Sequence, residues 1–210
     1  MSSPAFRFRL ATLDDAPALL SIYAPYVEKT AISFEYDVPP LDEFRRRIAD
    51  ISRKYPYLIA EDENGQLLGY AYTHTFIARK AYDHCAESTI YLTLDARKHG
   101  LGKRFYRAIE ELSLAQNIYN LYACIGYPDG ADDAHLTKNS AQFHAHLGYR
   151  IVGEFSRCGY KFGTWYNMTW MEKTLGKHEK CIGAHEESPA PVRPFPEISP
   201  AELESILDHV

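Results

Sequence analysis

Arg97-Lys98-His99-Gly100-Leu101-Gly102-Lys103 joins a largely apolar or hydroxylic stretch, residues 86–93, to a strongly periodic one, residues 101–116. The first pattern predicts a strand and the second an amphipathic helix, so these seven residues lie at a strand-to-helix junction. Two glycines allow a tight turn that aims several backbone N–H groups at one place, and the helix start adds its positive end. Such a junction is a cradle for a pyrophosphate, with Arg97, Lys98, Lys103 and Arg104 available to supply charge. The spacing matches neither a Walker A loop nor a complete dinucleotide fingerprint, and Gly-x-Gly before a helix also serves as an ordinary loop and cap.

Reading outward, residues 120–126 form a second buried strand, completing a strand-helix-strand unit. Upstream, residues 6–10 alternate like an edge strand, and Thr12-Leu13-Asp14-Asp15 has capping-box spacing before a helix carrying Leu19, Leu20 and Tyr23. A second helix is predicted over 41–51 with Phe44 and Ile48 on one face. Strands at 57–60 and 67–76 flank Glu63-Asn64-Gly65-Gln66, a hairpin signal. Downstream come a short helix at 139–147 closed by Gly148, then strands around 149–155 and 165–172. The order β-α-α-β-β-β-α-β-α-β-β predicts an α+β domain, an α/β/α sandwich with helices on both faces of a mixed sheet.

The chain has 210 residues, 46% hydrophobic and 13% aromatic, enough to bury one sizeable core. A domain over 1–176 is followed by a tail, 177–210, with five of the twelve prolines and a net charge of -4, against -1 for the rest. The tail reads as extended and solvated, a flexible appendage ending in a short helix at 200–207 with Ser199 or Pro200 near its start. A formal charge of -5 argues against a nucleic-acid binder. The N-terminus lacks the apolar run of a signal peptide and no stretch is long enough to span a membrane, so a cytoplasmic location is expected. Cys85, Cys124, Cys158 and Cys181 form no CxxC pair or zinc-like spacing, so neither metal nor a disulfide framework is expected.

Arg97-x-x-Gly100-x-Gly102 resembles the acyl-CoA pyrophosphate loop of the GNAT N-acetyltransferases. Arg79-Lys80-Ala81-Tyr82-Asp83, Ala86-Glu87-Ser88-Thr89-Ile90-Tyr91 and Gly159-Tyr160-Lys161-Phe162-Gly163-x-Trp165 resemble, in the same order, the phosphinothricin N-acetyltransferase branch. The resemblance covers roughly residues 6–174 and leaves the tail outside. It implies a GNAT-like mixed sheet in which two neighbouring parallel strands splay apart to receive acetyl-CoA as co-substrate. By that resemblance the backbone of Ile90, Tyr91 and Leu92 meets the pantetheine arm, and the loop Arg97, Lys98, His99, Gly100, Leu101, Gly102 and Lys103 meets the pyrophosphate. The family's CoA-contacting asparagine falls at Thr137 here, which makes Asn139 the substitute considered, alongside a role for Asn139 in capping the helix.

Acetyl transfer to an amine needs an unprotonated nitrogen and a proton for the departing thiolate. Glu87 is the candidate base, a carboxylate in an otherwise apolar or hydroxylic strand that also matches the branch's Glu-Ser-Thr-x-Tyr motif; Asp83 and Glu35 are the other carboxylates considered. Its alternative reading is a strand-edge carboxylate facing water. His144 is the candidate proton donor, as an imidazole near its ordinary pKa, with a structural histidine as the alternative. Cys124 reads as a buried small hydrophobe rather than a nucleophile.

Phe34, Tyr36, Arg79, Tyr82, Tyr160, Lys161 and Trp165 stand where the branch builds its acceptor pocket, and core or dimer packing is the alternative for the aromatics. Ile77 replaces a lysine found in relatives, which weakens phosphinothricin itself as acceptor and brings in methionine sulfone or sulfoximine types. The expected partners are thus acetyl-CoA, a small amino-acid-like acceptor and, by resemblance, a second copy of the chain. A polyamine or protein N-terminal acetyltransferase and a non-catalytic acyl-CoA-binding module remain as rivals.

Overall fold

The computed structural model describes residues 6–96, 100–176, 178 and 189–210. Strand β1, Phe6–Leu10, leads through a 3-10 turn into helix α1, Ala16–Lys29, and helix α2, Leu41–Ser52, follows. The turn forms because the Thr12 amide and hydroxyl both donate to the Asp15 carboxylate, at 2.7 and 2.9 Å. Arg9 grips the same carboxylate with two nitrogens and, with its own hydrogen bonds, holds the Asp15 pKa down near 2.

Strands β2, Tyr57–Asp62, and β3, Leu67–Thr75, form the expected hairpin, with Gly65 at φ 77° supplying the left-handed conformation of the turn. Next come β4, Cys85–Leu92, helix α3, Leu101–Ala115, and β5, Asn120–Pro128. Helix α4, Asn139–His146, ends at Gly148, φ 91°, before β6, Arg150–Lys161, and β7, Thr164–Thr174. The element order is the one read from the sequence. The main difference is β6, which runs past residue 155 to Lys161 through an irregularity between Phe155 and Gly159. Arg157 there has φ 50° and its amide donates to the Asn167 side chain, so a side chain replaces one rung of the ladder.

The seven strands make one sheet in the order β1-β2-β3-β4-β5-β7-β6, antiparallel except for the β4–β5 pair. That parallel pair closes only at Cys85↔Asn120, Ala86↔Leu121 and Glu87↔Tyr122. Beyond it β4 stays with β3 as far as Leu92 and β5 stays with β7 as far as Pro128, so the strands part in a V. One face of the sheet packs Tyr57, Ile59 and Tyr70 under α1 and α2. The other packs Leu58, Ala71, Ala86, Leu121 and Ala123 under Phe105, Ile109 and Leu112 of α3 and Ala141 of α4.

Residues 189–210 lie on the body rather than in solvent. Helix α5, Pro200–Asp208, is capped by Ser199, whose hydroxyl accepts the Glu202 amide, and Phe195, Ile198 and Val210 are buried in the core cluster beside α3. Arg193 donates to the Ala115 carbonyl, and Arg193 and Gln116 exchange backbone and side-chain hydrogen bonds that satisfy the C-terminal end of α3. The sequence showed a solvated appendage because these apolar residues are thinly spread among prolines and acids. Ile198→Val is expected to cost about 1 kcal/mol in urea unfolding, as a core methyl deletion does. An unchanged midpoint would mean that the segment does not contribute to folding.

Candidate active site

The V between β4 and β5 opens on a cavity of about 280 Å³. Its lining includes Ser33 and Phe34 from the α1–α2 connection, Glu87, Ser88, Ile90 and Tyr91 from β4, Cys124 and Gly126 from β5, Ser140 and His144 from α4, and Met168 from β7. Of the residues expected from sequence, Phe34, Glu87, Ile90, Tyr91 and His144 therefore converge on one space. Glu87 is its only lining carboxylate among the described residues, and no lining residue is a lysine or arginine. Across the β3–β4 pair, His74 Nε2 stands 3.7 Å from Glu87 Oε1. The other carboxylates considered are engaged elsewhere: Glu35 pairs with Arg47 at 2.8 Å and Asp83 with Lys54 at 3.6 Å.

His144 is 4% exposed, and burial pulls its pKa down to about 4. Its Nδ1 lies 2.7 Å from the Ser140 carbonyl and its Nε2 2.5 Å from the Tyr106 hydroxyl. A carbonyl only accepts, so Nδ1 carries the proton and Nε2 accepts from Tyr106. The imidazole is thus neutral at pH 7, which corrects the expectation of an ordinary pKa. Tyr106, raised by its own burial, sits edge-on to Tyr149, and the Ser88 hydroxyl donates to the Tyr122 carbonyl at 3.1 Å close by. Tyr106 was missed because it sits on the apolar stripe of α3, where an aromatic reads as core.

The backbone candidates on β4 divide by strand alternation. Thr93 donates to the Leu68 carbonyl, so Thr93 and Tyr91 face β3 while Leu92 and Ile90 face the gap. Both polar groups of Leu92 are engaged by the Tyr26 hydroxyl, at 2.6 Å to the carbonyl and 3.2 Å to the amide. Ile90 is left as the residue whose amide and carbonyl point across the open V. The Tyr91 ring packs under α1 against Tyr23 and Tyr26.

At the foot of α3, Gly100 takes φ 79°, as a glycine turn requires, and Leu101 and Gly102 are buried. A Cβ on Gly102 would come within 3.0 Å of the Phe143 ring, so the glycine lets α3 approach α4 closely. Lys103 is exposed at this end, whereas Arg104 turns to the Val210 carbonyl at 2.8 Å and stacks 4.2 Å over the Phe6 ring. Arg97, Lys98 and His99 lie outside the described residues. Asn139 does not line the cavity; it is the first residue of α4 and its backbone N–H donates to the Thr137 hydroxyl at 3.4 Å.

The remaining acceptor candidates are not gathered in the cavity. Arg79 and Tyr82 occupy the turn between β3 and β4, and Tyr82 packs edge-on to Phe76. Tyr160 and Trp165 pair across the β6–β7 hairpin on an exposed surface, where the Tyr36 hydroxyl donates to the Tyr160 carbonyl. Lys161, read as a substrate contact, is 3% exposed and gives all three of its ammonium protons to backbone carbonyls. Sequence position alone could not separate these fates, since neighbouring strand residues face opposite sides.

A model of the acetyltransferase (GNAT) domain family matches residues 8–170. The chain belongs to that family. A phosphinothricin N-acetyltransferase of Alcaligenes faecalis is 34% identical over 83% of this chain and 85% of its own length. An L-methionine sulfoximine/L-methionine sulfone acetyltransferase of Pseudomonas paraeruginosa is 30% identical over 80% of this chain and 93% of its own. Among solved structures, a GNAT superfamily phosphinothricin acetyltransferase from Sinorhizobium meliloti in complex with AcCoA superposes with a TM-score of 0.77 at 27% identity, covering 92% of this chain and 97% of that one. The chain is accordingly an N-acetyltransferase with acetyl-CoA as donor, and the splayed strand pair fits that donor: it leaves the Ile90 edge open beside the glycine turn that starts α3. Among the described residues no group of three or more His, Cys, Asp or Glu is placed to hold a metal, and no helix is long and apolar enough to cross a membrane.

Proposed function

We propose that the chain acetylates the α-amino group of a small amino acid or analogue of the phosphinothricin, methionine sulfoximine or methionine sulfone type. The observation that carries this reading is the convergence of one carboxylate, Glu87, and one neutral imidazole, His144, on a single small cavity at the open end of the β4–β5 pair. Acetyl-CoA supplies the acetyl thioester. Ile90 aligns the arm of the donor through its amide and carbonyl, and residues 97–103 hold the pyrophosphate, with the domain 1–176 carrying the chemistry and residues 189–210 buttressing α3.

Glu87 takes the proton from the acceptor's ammonium, directly or through one water, and so frees the nitrogen lone pair. His144 then relays the second amine proton to the departing sulfur through Nε2, which gives up the Tyr106 hydroxyl to accept it, while Nδ1 stays on the Ser140 carbonyl. A low pKa makes the imidazole a poor store of protons but a strong donor once charged. The lining favours a neutral acceptor side chain over a phosphinate, because no lysine or arginine among the described residues faces it, and one carboxylate is too few to select a polyamine.

The apolar residues Ile151, Val152, Phe155 and Trp165, exposed on β6 and β7, support a homodimer in which a second copy covers this hairpin. Cys85, Cys124 and Cys158 are free thiols, which supports a cytoplasmic location.

The reading is tested by release of free thiol from acetyl-CoA with a panel of amino acids, methionine sulfone, methionine sulfoximine, phosphinothricin, spermidine and an N-terminal peptide. Selective release with methionine sulfone or sulfoximine is expected. Release with spermidine alone would replace the amino-acid reading by the polyamine one, and binding of acetyl-CoA without release on any amine would point to a binding module.

A further inference from the structure

The connection from α1 to α2 forms one wall of the cavity through Ile32, Ser33 and Phe34, yet it belongs to no strand or helix. A loop in that position needs an external restraint to hold a defined shape. The structure provides one in Lys161 of β6. Its Nζ donates to the carbonyls of Val27 at 2.7 Å, Thr30 at 2.9 Å and Ser33 at 2.7 Å. Val27 and Thr30 stand at the end of α1, where carbonyls lack helical partners and carry the negative end of the dipole. Ser33 lies beyond it, in the wall itself. One ammonium therefore measures the distance between the helix end and the wall.

Strands β5 and β6 fix the wall at further points. A Cβ on Gly159 would fall 2.3 Å from the Phe34 ring, and a Cβ on Gly126 would fall 2.7 Å from the Ala31 carbonyl, so the loop rests directly on two glycine backbones. The Tyr36 hydroxyl donates to the Tyr160 carbonyl, next to Lys161 in the chain. On its inner side the Ser33 hydroxyl meets Tyr23 at 2.7 Å. The Ile90 edge and the start of α3, where the donor is placed, have no contact with Lys161 among those described.

We propose that Lys161 is a positioning residue that sets the acceptor-facing wall, residues 31–36, and thereby governs affinity for the acceptor and not for acetyl-CoA. The inference rests on the acetyl-transfer reading for its kinetic consequence and on geometry alone for its structural one. Replacing the side chain removes three hydrogen bonds from carbonyls of buried or half-buried residues, and the wall relaxes while the donor edge stays in place.

The test uses Lys161→Met and Tyr36→Phe in the full chain, with methionine sulfone as acceptor. Lys161→Met is expected to raise the acceptor KM at least tenfold and leave the acetyl-CoA KM within about twofold; Tyr36→Phe, at a residue 65% exposed, is expected to raise the acceptor KM about threefold without loss of folding. Hydrogen exchange should accelerate at least tenfold at the amides of 31–36 in Lys161→Met and keep wild-type rates at 86–91. An equal rise of both KM values, or a wild-type acceptor KM in Tyr36→Phe, would overturn the proposal. So would exchange that accelerates equally in β4. Should the wild-type chain release thiol with no amine at all, the acetyl-transfer reading falls, and the exchange comparison by itself decides the clamp.

Discussion

Glu87→Gln is expected to lower kcat by about 10²- to 10³-fold, the range spanned by removal of a positioned general base, with the acetyl-CoA KM changed less than about threefold. Glutamine keeps the size and the hydrogen-bonding oxygen of the side chain, so His74 and the β3–β4 pairing are undisturbed. What it cannot do is accept a proton from an ammonium. The variant then depends on acceptor that has lost its proton to bulk solvent. Its rate should climb close to tenfold per pH unit below the amine's pKa, whereas the wild type, supplied by the carboxylate, should rise less steeply. Steady-state thiol release between pH 6 and 9 measures both. Parallel profiles with similar rates would remove Glu87 from the proton path and leave it a strand carboxylate balanced by His74.

The arrangement of helices and strands was legible in the sequence because the local signals agree with one another: Asn64-Gly65 at a hairpin, Gly148 after α4, alternation over residues 6–10 and the apolar periodicity of residues 101–116. The V was not legible from patterning. A splay arises when two strands each remain loyal to an outer partner, and pairing partners distant in sequence leave no local trace. Glu87, which lines the cavity, stood out in the sequence because a carboxylate in an apolar strand is costly and therefore conspicuous. Lys161 was misread for a related reason. A lysine in a strand suggests solvent or an anion, and nothing local reveals that the end of α1 and the loop after it, 128–134 residues away, offer it three carbonyls. Tyr26 illustrates the same limit, since its bond to Leu92 is a contact between a helix stripe and a strand edge 66 residues apart.

His144 is expected to make the folded chain acid-sensitive. Its unfolded pKa near 6.5 falls to about 4 on burial, so between those values the unfolded state binds more protons than the folded one. The stability associated with a neutral, buried imidazole is fully present above pH 6.5 and is lost progressively as pH falls toward 4. From pH 7.5 to 4.5 the loss from this group amounts to about 2–3 kcal/mol. His144→Gln offers the control, because the glutamine amide can donate to Ser140 and its oxygen can accept from Tyr106 without titrating. Asp15 and the other carboxylates titrate alike in both proteins, so the difference between them isolates the imidazole. Urea unfolding at the two pH values should show the wild type losing about 2–3 kcal/mol more than the variant. Equal losses would mean that the ring is solvated and able to charge, and a charged ring would restore a standing acid in place of the relay. The same variant should slow acetyl transfer at pH 7.5, where its fold is not under acid stress, since a glutamine holds Tyr106 in place but carries no proton to sulfur.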